Sequence, residues 1–557
     1  MSSTTHGGSR HAPNILWITL EDSSPRLGCY GDDLANTPAI DELAETGRLF
    51  PNAFSTSPVC APSRSAAFTG CYQTAIGTHH HRTSESGRRL SEAGKAGFSP
   101  YEAVPPHYVR LVAEYLRAAG YFCTLQGSTD FQHATPKSAF HGWDGREGSP
   151  DHWRERDPDQ PFFAVFNPTW SHESGMFEEG DEPPPQTALD AVEVPPYLPD
   201  TETVRRSIAR QYDNLARDDE RVAELLGELE EAGIEDETIV VLWSDHGEGL
   251  PRCKRWPYDS GTHVPLIVRG PGIEQGVDDR LASLVDLTPT TLSLAGVSIP
   301  AHMDGRPLLG ERAEQATDRT YVYAARDRHD ELRDTVRSVR DERYRYVRNY
   351  HVNRPYRLQN GYRNRHPAMQ EINRLAAADE LDGPRTIWTR HRRPPEELYD
   401  LEADPHEVEN LADDPSHEDT LARLRGALDD WIEETGDRGL ENEPSMIAEM
   451  RQGSEQPRTV PPDFVPNVDG NRGLDIVDGT CSADHPIEVT SPAELSFICG
   501  TEGASIRYRL GDEERWSLYT GPIALETGTT TVTAIANRYG YADSEQVSAT
   551  FEVVPNG

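Results

Sequence analysis

Ser57-Pro-Val-Cys-Ala-Pro-Ser-Arg-Ser65 brings a thiol, a residue of fixed φ and a guanidinium together in a few positions. Pro62 suits the first turn of a helix, where its missing N–H costs nothing, and Ser63-Arg-Ser-Ala-Ala-Phe-Thr69 continues helically to a stop at Gly70. Cys60 is therefore expected just before a helix N-terminus, where free N–H groups and the positive end of the helix dipole favour an anion and lower a thiol pKa. Arg64 adds a positive fork about one turn further on. Two pairs of ligand-type residues follow apolar runs. Glu21-Asp22 ends Asn14-Ile-Leu-Trp-Ile-Thr-Leu20, and Asp245-His246 comes just after Glu237-Thr-Ile-Val-Val-Leu-Trp243. Three carboxylates and one imidazole make a mainly hard donor set, suited to Ca2+ and compatible with Mg2+ or Mn2+. For Glu21-Asp22 alone, a solvated turn or a helix cap by Asp22 is an equally ordinary reading. His79, His80 and His81, clustered on a Gly-flanked loop, could be general acids or metal ligands, although such runs are often merely exposed.

The elements that must hold these residues read as an α/β chain. The runs at 14–20 and 237–243, with Gln160-Pro-Phe-Phe-Ala-Val-Phe-Asn167, are continuous enough to be strands buried on both faces of a parallel sheet. Ligands of such sheets lie beyond the carboxyl ends of the strands, which is where Glu21-Asp22, Asp245-His246 and the Ser171-His172-Glu173 segment fall. Apolar spacing predicts helices opening at Thr37-Pro38, over 109–119 before a short strand at 121–125, over 204–232 as an amphipathic cover, at 286–296, and over 421–431. Residues 336–347 alternate as a hairpin. A Pro-, Gly- and polar-rich stretch over 446–475 reads as a linker, and the short alternating segments of 476–557 as a small antiparallel β-sandwich.

Cys60-Ala-Pro-Ser-Arg64 is the pattern Cys-x-Pro-Ser-Arg, and with the acidic pair after the first strand it resembles the type I sulfatases of the alkaline phosphatase superfamily. Further stretches follow in the same order: Ser171-His172, Ser244-Asp-His-Gly247, Lys254 ahead of Gly261 and Val264-Pro-Leu-Ile-Val268, Asp304-Gly-Arg-Pro-Leu308, and Glu397-Leu-Tyr-Asp-Leu-Glu-Ala-Asp-Pro405. The resemblance covers roughly residues 13 to 440. It implies an alkaline phosphatase-like α/β sandwich around a large, mostly parallel sheet (13–312), a smaller C-terminal α+β subdomain (313–445), and the appended β-sandwich, which looks like the Ig-like or chitobiase-tail modules of glycan-processing enzymes. It also implies that Cys60 is oxidised by a maturation enzyme to formylglycine (3-oxoalanine). The hydrate of that group would attack sulfur beside a divalent ion held by Glu21, Asp22, Asp245 and His246. Arg64, Lys254 and His172 would act around it, and His263 or one of His79 to His81 would protonate the leaving oxygen. Ser128 stands where the family has a lysine, and Glu21 where it usually has Asp. The Gly77-Thr-His-His and Asn167 to Glu173 segments look most like heparan N-sulfatase-type proteins, so sulfated saccharide is the expected substrate class. A phosphodiesterase or phosphonate monoester hydrolase is the near alternative, and a non-catalytic glycan-binding protein the alternative of another class.

Composition restricts the partners. The 557 residues suffice for several domains and a large core. With 94 Asp and Glu against 54 Lys and Arg, the formal charge is −40, which excludes nucleic acid and anionic membranes as partners of the surface as a whole. Lys95, Lys137 and Lys254 are the three lysines, and this acid-rich, lysine-poor surface looks salt-adapted. Abundant aromatics and recurring apolar runs exclude a disordered acidic chain. Without an 18-residue apolar stretch or an apolar segment in the first 13 residues, neither a membrane span nor a signal peptide is visible, and a cytoplasmic home is the default expectation. The seven scattered cysteines suggest mostly reduced thiols, with Cys481 and Cys499 as a candidate pair in the β-rich tail.

Overall fold

The computed structural model describes residues 12–83, 100–126, 130–131, 138–141, 152–177, 183–451, 453, 455–468 and 486–555. Ser128 and Cys481 lie outside the described residues. The central sheet is built from β1 (Asn14–Leu20), β2 (Arg48–Leu49), β4 (Phe122–Gln126), β5 (Phe162–Phe166), β6 (Thr238–Ser244), β7 (Leu266–Arg269) and β8 (Gly276–Val277), in the order β4-β5-β1-β6-β7-β2-β8. β3 (Ala53–Phe54) lies outside it and pairs with β9 (Ala282–Ser283). β4, β5, β1 and β6 run parallel, while β7 is antiparallel to β6. The mostly parallel sheet expected from the apolar runs is therefore present.

Alternation along each strand explains why those runs are apolar throughout. Ile15 and Trp17 face one layer with Phe163, Val165, Val241 and Trp243, together with Ala67 and Phe68 of α2 (Cys60–Thr69), the Leu111 to Leu116 segment around α3 (Val112–Ala118), and Leu287 and Leu292. Leu16, Ile18 and Leu20 face the other layer with Ile40 and Leu43 of α1 (Pro38–Thr46) and Leu215, Val222, Leu225 and Leu229 of α4 (Glu202–Glu231). Helices on both faces demand apolar residues at every strand position. Each fully buried large side chain contributes about 1.5–3 kcal/mol. Trp17, edge-on to Phe68, Phe163 and Trp243, would cost ~3–5 kcal/mol on truncation to alanine. The expected helix over 109–119 begins only at Val112, because Leu111 is extended and its N–H bonds to the Tyr539 hydroxyl.

A second, four-stranded antiparallel sheet follows: β10 (Val322–Arg326), β11 (Val336–Arg340), β12 (Tyr344–Asn349) and β13 (Glu396–Asp400), in that order. β11 and β12 are the hairpin expected over 336–347, with Val339 opposite Tyr346. Leu424, Leu428 and Trp431 of the helix Glu418–Thr435 pack on that sheet. The stretch read as a linker differs: it carries the end of the helix Glu443–Arg451 and then β14 (Asp463–Val468). Pro466 is tolerated because β14 is an edge strand, paired only with β16 (Ala493–Ile498), which pairs in turn with β19 (Ile523–Leu525), and Phe464 is buried in the core of the tail.

The tail holds β15 (Ile487–Thr490), β16 (Ala493–Ile498), β17 (Ser505–Leu510), β18 (Ser517–Leu518), β19 (Ile523–Leu525), β20 (Gly528–Asn537) and β21 (Val547–Val554). It is a two-sheet sandwich as expected, but not wholly antiparallel, since β15 runs parallel to β21. It docks on α3 through Ser505 Oγ to Glu114 (2.7 Å) and Arg117 to the Trp516 carbonyl (3.1 Å). Among the described residues no helix is long and apolar enough to cross a membrane.

Candidate active site

The site begins with sheet register. Leu20 lies opposite Ser244, so Glu21-Asp22 and Asp245-His246 leave adjacent parallel strands side by side. Asp22 takes a positive φ of 50°, a conformation uncommon for a residue with a Cβ and frequent where a side chain must be aimed. Its N–H donates to Asp245 Oδ1 at 3.1 Å, locking the two turns together. α2 starts at Cys60 after extended Val59 and ends where Gly70 adopts φ 71°. The N–H of Arg255 bonds to the Pro58 carbonyl (2.8 Å), tying the segment that carries Lys254 to the mouth of that helix.

Side chains then converge. Cys60 Sγ lies 3.4 Å from His246 Nε2 and 4.0 Å from Asp22 Oδ1. His246 Nε2 is 3.1 Å from Asp22 Oδ1, while its Nδ1 donates to the Gly247 carbonyl at 2.8 Å, so that Nε2 is the nitrogen that could ligate an ion. Arg64 donates to Asp245 Oδ2 (3.2 Å), Glu21 Oε1 (2.8 Å) and Asn167 Oδ1 (3.1 Å). Lys254 Nζ sits 2.8 Å from both oxygens of Asp22 and 3.6 Å from Glu173, whose carboxylate is clasped by Arg255 at 2.6 and 2.8 Å. Ligand atoms of Glu21, Asp22, Cys60 and His172 fall within 4.8 Å of one another, as do those of Asp22, Cys60, Asp245 and His246.

Three buried carboxylates face two cations here, Arg64 and Lys254, and this excess of oxygen donors fits a divalent cation. Burial alone would raise Asp22, yet the charges of Lys254, His172 and His246 hold it well below the ordinary carboxylate value. Asp245 is likewise depressed against burial, by His246 and Arg64. Cys60 departs from expectation. Burial, reinforced by Asp245, Glu21 and Asp22, pushes its thiol well above the usual value despite Lys254.

Of the residues singled out in the sequence, Glu21, Asp22, Cys60, Arg64, His172, Lys254, Asp245 and His246 come together. His172 is pushed below its usual pKa by burial and by Lys254, and its Nδ1 lies 2.7 Å from Ser174 Oγ. Its loop is held by Asp218 of α4, which accepts from the N–H groups of Trp170 (3.0 Å) and Ser171 (2.9 Å). The histidine run is buried rather than exposed, because the C-terminal subdomain folds over it. A ring nitrogen of His81 is within 4.8 Å of Cys60 Sγ and of Asp130. His79 packs edge-on to His80, and His80 accepts from the Arg328 N–H at 3.2 Å; both sit behind the site. His263 is not assembled with the others. Its Nε2 lies 2.7 Å from the Pro51 carbonyl, and its ring stacks on Phe54. Sequence reasoning missed Asn167, Arg255, Asp218 and Asp130, and gave Glu173 no role. Asn167 had a usable signal, since it ends β5 just as Glu21 ends β1.

Comparisons with known proteins show what the chain is similar to. The family model described as Sulfatase matches residues 13–156 and 149–297, and that described as N-sulphoglucosamine sulphohydrolase, C-terminal, matches 249–380. An ulvan-active sulfatase of Formosa agariphila is 38% identical over 577 residues, covering 96% of this chain and 91% of the relative. The human N-sulphoglucosamine sulphohydrolase is 28% identical over 474 residues, covering 76% and 90%. Among solved structures, a 2-O GAG sulfatase superposes with a TM-score of 0.53 at 22% identity, covering 78% of this chain and 96% of the other.

Proposed function

The chain belongs to the sulfatase family, and on that premise we propose that it is a sulfuric ester hydrolase that cleaves sulfate esters or sulfamates on a sulfated saccharide. The observation that carries this reading is the convergence of Glu21, Asp22, Asp245 and His246 on Cys60 at the mouth of α2. Glu21, Asp22, Asp245 and His246 would hold a divalent ion, Ca2+ by the oxygen-rich donor set, which supplies positive charge beside the nucleophile and the sulfate. Cys60 enters the reaction as formylglycine installed by a maturation enzyme, whose hydrated form gives an oxygen nucleophile that the buried, protonated thiol is not.

Arg64 orients Glu21 and Asp245 and places its charge one helical turn from the nucleophile. Lys254 and His172 flank the same atoms and would take the sulfate oxygens where negative charge accumulates. His81, rather than His263, stands near enough to Cys60 to give a proton to the leaving oxygen. Burial keeps His81 neutral in the free chain, and the negative charge of a bound sulfate group is what would let it take up that proton. The ulvan and N-sulphoglucosamine activities named for the relatives support a saccharide as substrate. Turnover of an aryl sulfate and a sulfated disaccharide beside an aryl phosphate tests the reading: sulfate turnover that vanishes in Cys60→Ala supports it, and preference for the phosphate refutes it.

A further inference from the structure

The loop after β10 folds over the catalytic end of the central sheet, where the His81 N–H donates to the Arg328 carbonyl at 2.8 Å. Most charged side chains around it pair off. Arg393 grips Asp334 at 2.6 and 3.0 Å, Arg337 joins Asp327 to Asp437, and Arg328 and Arg333 share Glu443. Among the described residues, Nε and Nη1 of Arg326, both ring nitrogens of His329 and Nε of Arg363 meet no hydrogen-bond partner, and neither do Asp327 Oδ2 and Asp330 Oδ1 of the same loop. None of these residues is more than 3% exposed. Among the described residues the one carboxylate that Arg326 reaches is Asp334, at 3.2 Å, with its guanidinium stacked 3.8 Å over the Trp256 ring, and Arg363 bonds the Leu358 carbonyl.

Asn360 ties Arg326, His329 and Arg363 together, since its side chain donates to Asp330 Oδ2 at 3.1 Å and accepts the backbone N–H of Arg363 at 2.9 Å, which sets Arg363 against the loop that carries Arg326 and His329. Arg326 and Arg255 accordingly both act electrostatically on His329 and on Arg363. Burial and like charge push Arg326 down to about 10 and Arg363 to about 9. Buried polar nitrogens are almost always hydrogen-bonded, so the unmet guanidinium nitrogens of Arg326 and Arg363, with the His329 ring between donors and acceptors, adjoining a site that handles anions, point to an anionic partner.

We propose that Arg326, His329 and Arg363 form an anion subsite beside Lys254 and Arg255, which binds a second negative group of the saccharide, either a sugar carboxylate or an additional sulfate. This rests on the saccharide-sulfatase reading above, but binding can be scored without turnover. Three ligands would be titrated by calorimetry into the full Cys60→Ala chain: a monosulfated disaccharide carrying a uronic acid carboxylate, its carboxyl-reduced counterpart, and the carboxyl-reduced disaccharide with a second sulfate. Loss of the second anion is expected to weaken binding by about tenfold or more, and the ligand that recovers affinity identifies the occupant. In Arg363→Gln, or in His329→Asn should the first variant not fold, that ratio should shrink to about twofold. Equal binding of all three ligands would overturn the subsite alone, as would an unchanged ratio in the folded variants. Binding of none would overturn the saccharide reading with it.

Discussion

Replacing Lys254 by methionine removes one buried charge and little volume. Nζ of Lys254 is 2.8 Å from each oxygen of Asp22, and both side chains are shielded from water. Glu173, 3.6 Å away, keeps its clasp from Arg255, so the loss falls on Asp22. Stranding one member of a buried ion pair costs about 3–5 kcal/mol, or roughly two to four powers of ten in the folding equilibrium. A divalent ion on Asp22 would supply the missing charge. The expected penalty is therefore ~3–5 kcal/mol in EDTA and about 1 kcal/mol or less in millimolar calcium. Denaturant titrations followed by tryptophan fluorescence measure both, since Trp17 and Trp243 lie on the strands that lead into the site. Turnover of an aryl sulfate should fall by about a hundredfold or more even in calcium, because the charge proposed to face the sulfate oxygens is gone. An equal stability penalty with and without calcium would refute the assignment of Asp22 as a metal ligand. Unchanged turnover would refute the role of Lys254.

His81→Ala should lower kcat about a hundredfold or more, whereas His263→Ala, whose ring only stacks on Phe54 and meets the Pro51 carbonyl, should stay within about tenfold; the reverse order in steady-state kinetics would reinstate His263. Asp259 is held low against burial by Arg340 and Arg345, so it stabilises the fold above the ordinary carboxylate pKa and loses that contribution as pH falls through its depressed value. Asp259→Asn should thus be less stable than the parent at pH 7, by a margin that narrows below about pH 4; a constant margin in denaturant titrations contradicts this. The −40 charge should repel a polyanionic saccharide, so its KM should fall as the screening length shrinks from about 10 Å at 0.1 M salt to ~3 Å at 1 M. The KM of a small aryl sulfate should change less over the same range.

The positions of Glu21, Asp22, Asp245 and His246 were legible because continuous, β-branched apolar runs of strand length suit strands buried on both faces, and residues at the carboxyl ends of such parallel strands converge. The Cys60 helix was legible from Pro62 and Gly70. Side-chain direction was not. His263 precedes β7, which runs back from the catalytic edge of the sheet, so it begins near the right place, but pairing with Phe54 turns its ring towards Pro51. The burial of His79 to His81 depends on Arg328 and Glu443, hundreds of residues away in sequence. The raised thiol pKa was not legible either, because it follows from the burial of Cys60 and from the carboxylates of Asp245, Glu21 and Asp22 that only the packed fold gathers. Arg326, His329 and Arg363 carry no local motif, and only the tertiary fold gathers them.

The central claim is tested most directly by mass spectrometry of the tryptic peptide spanning Cys60 in protein purified from its native host and shown to hydrolyse a sulfate ester. The peptide should be about 18 Da lighter than its sequence predicts, the change from thiol to aldehyde. An unmodified thiol in that active protein would contradict the account, and would require a nucleophile other than formylglycine.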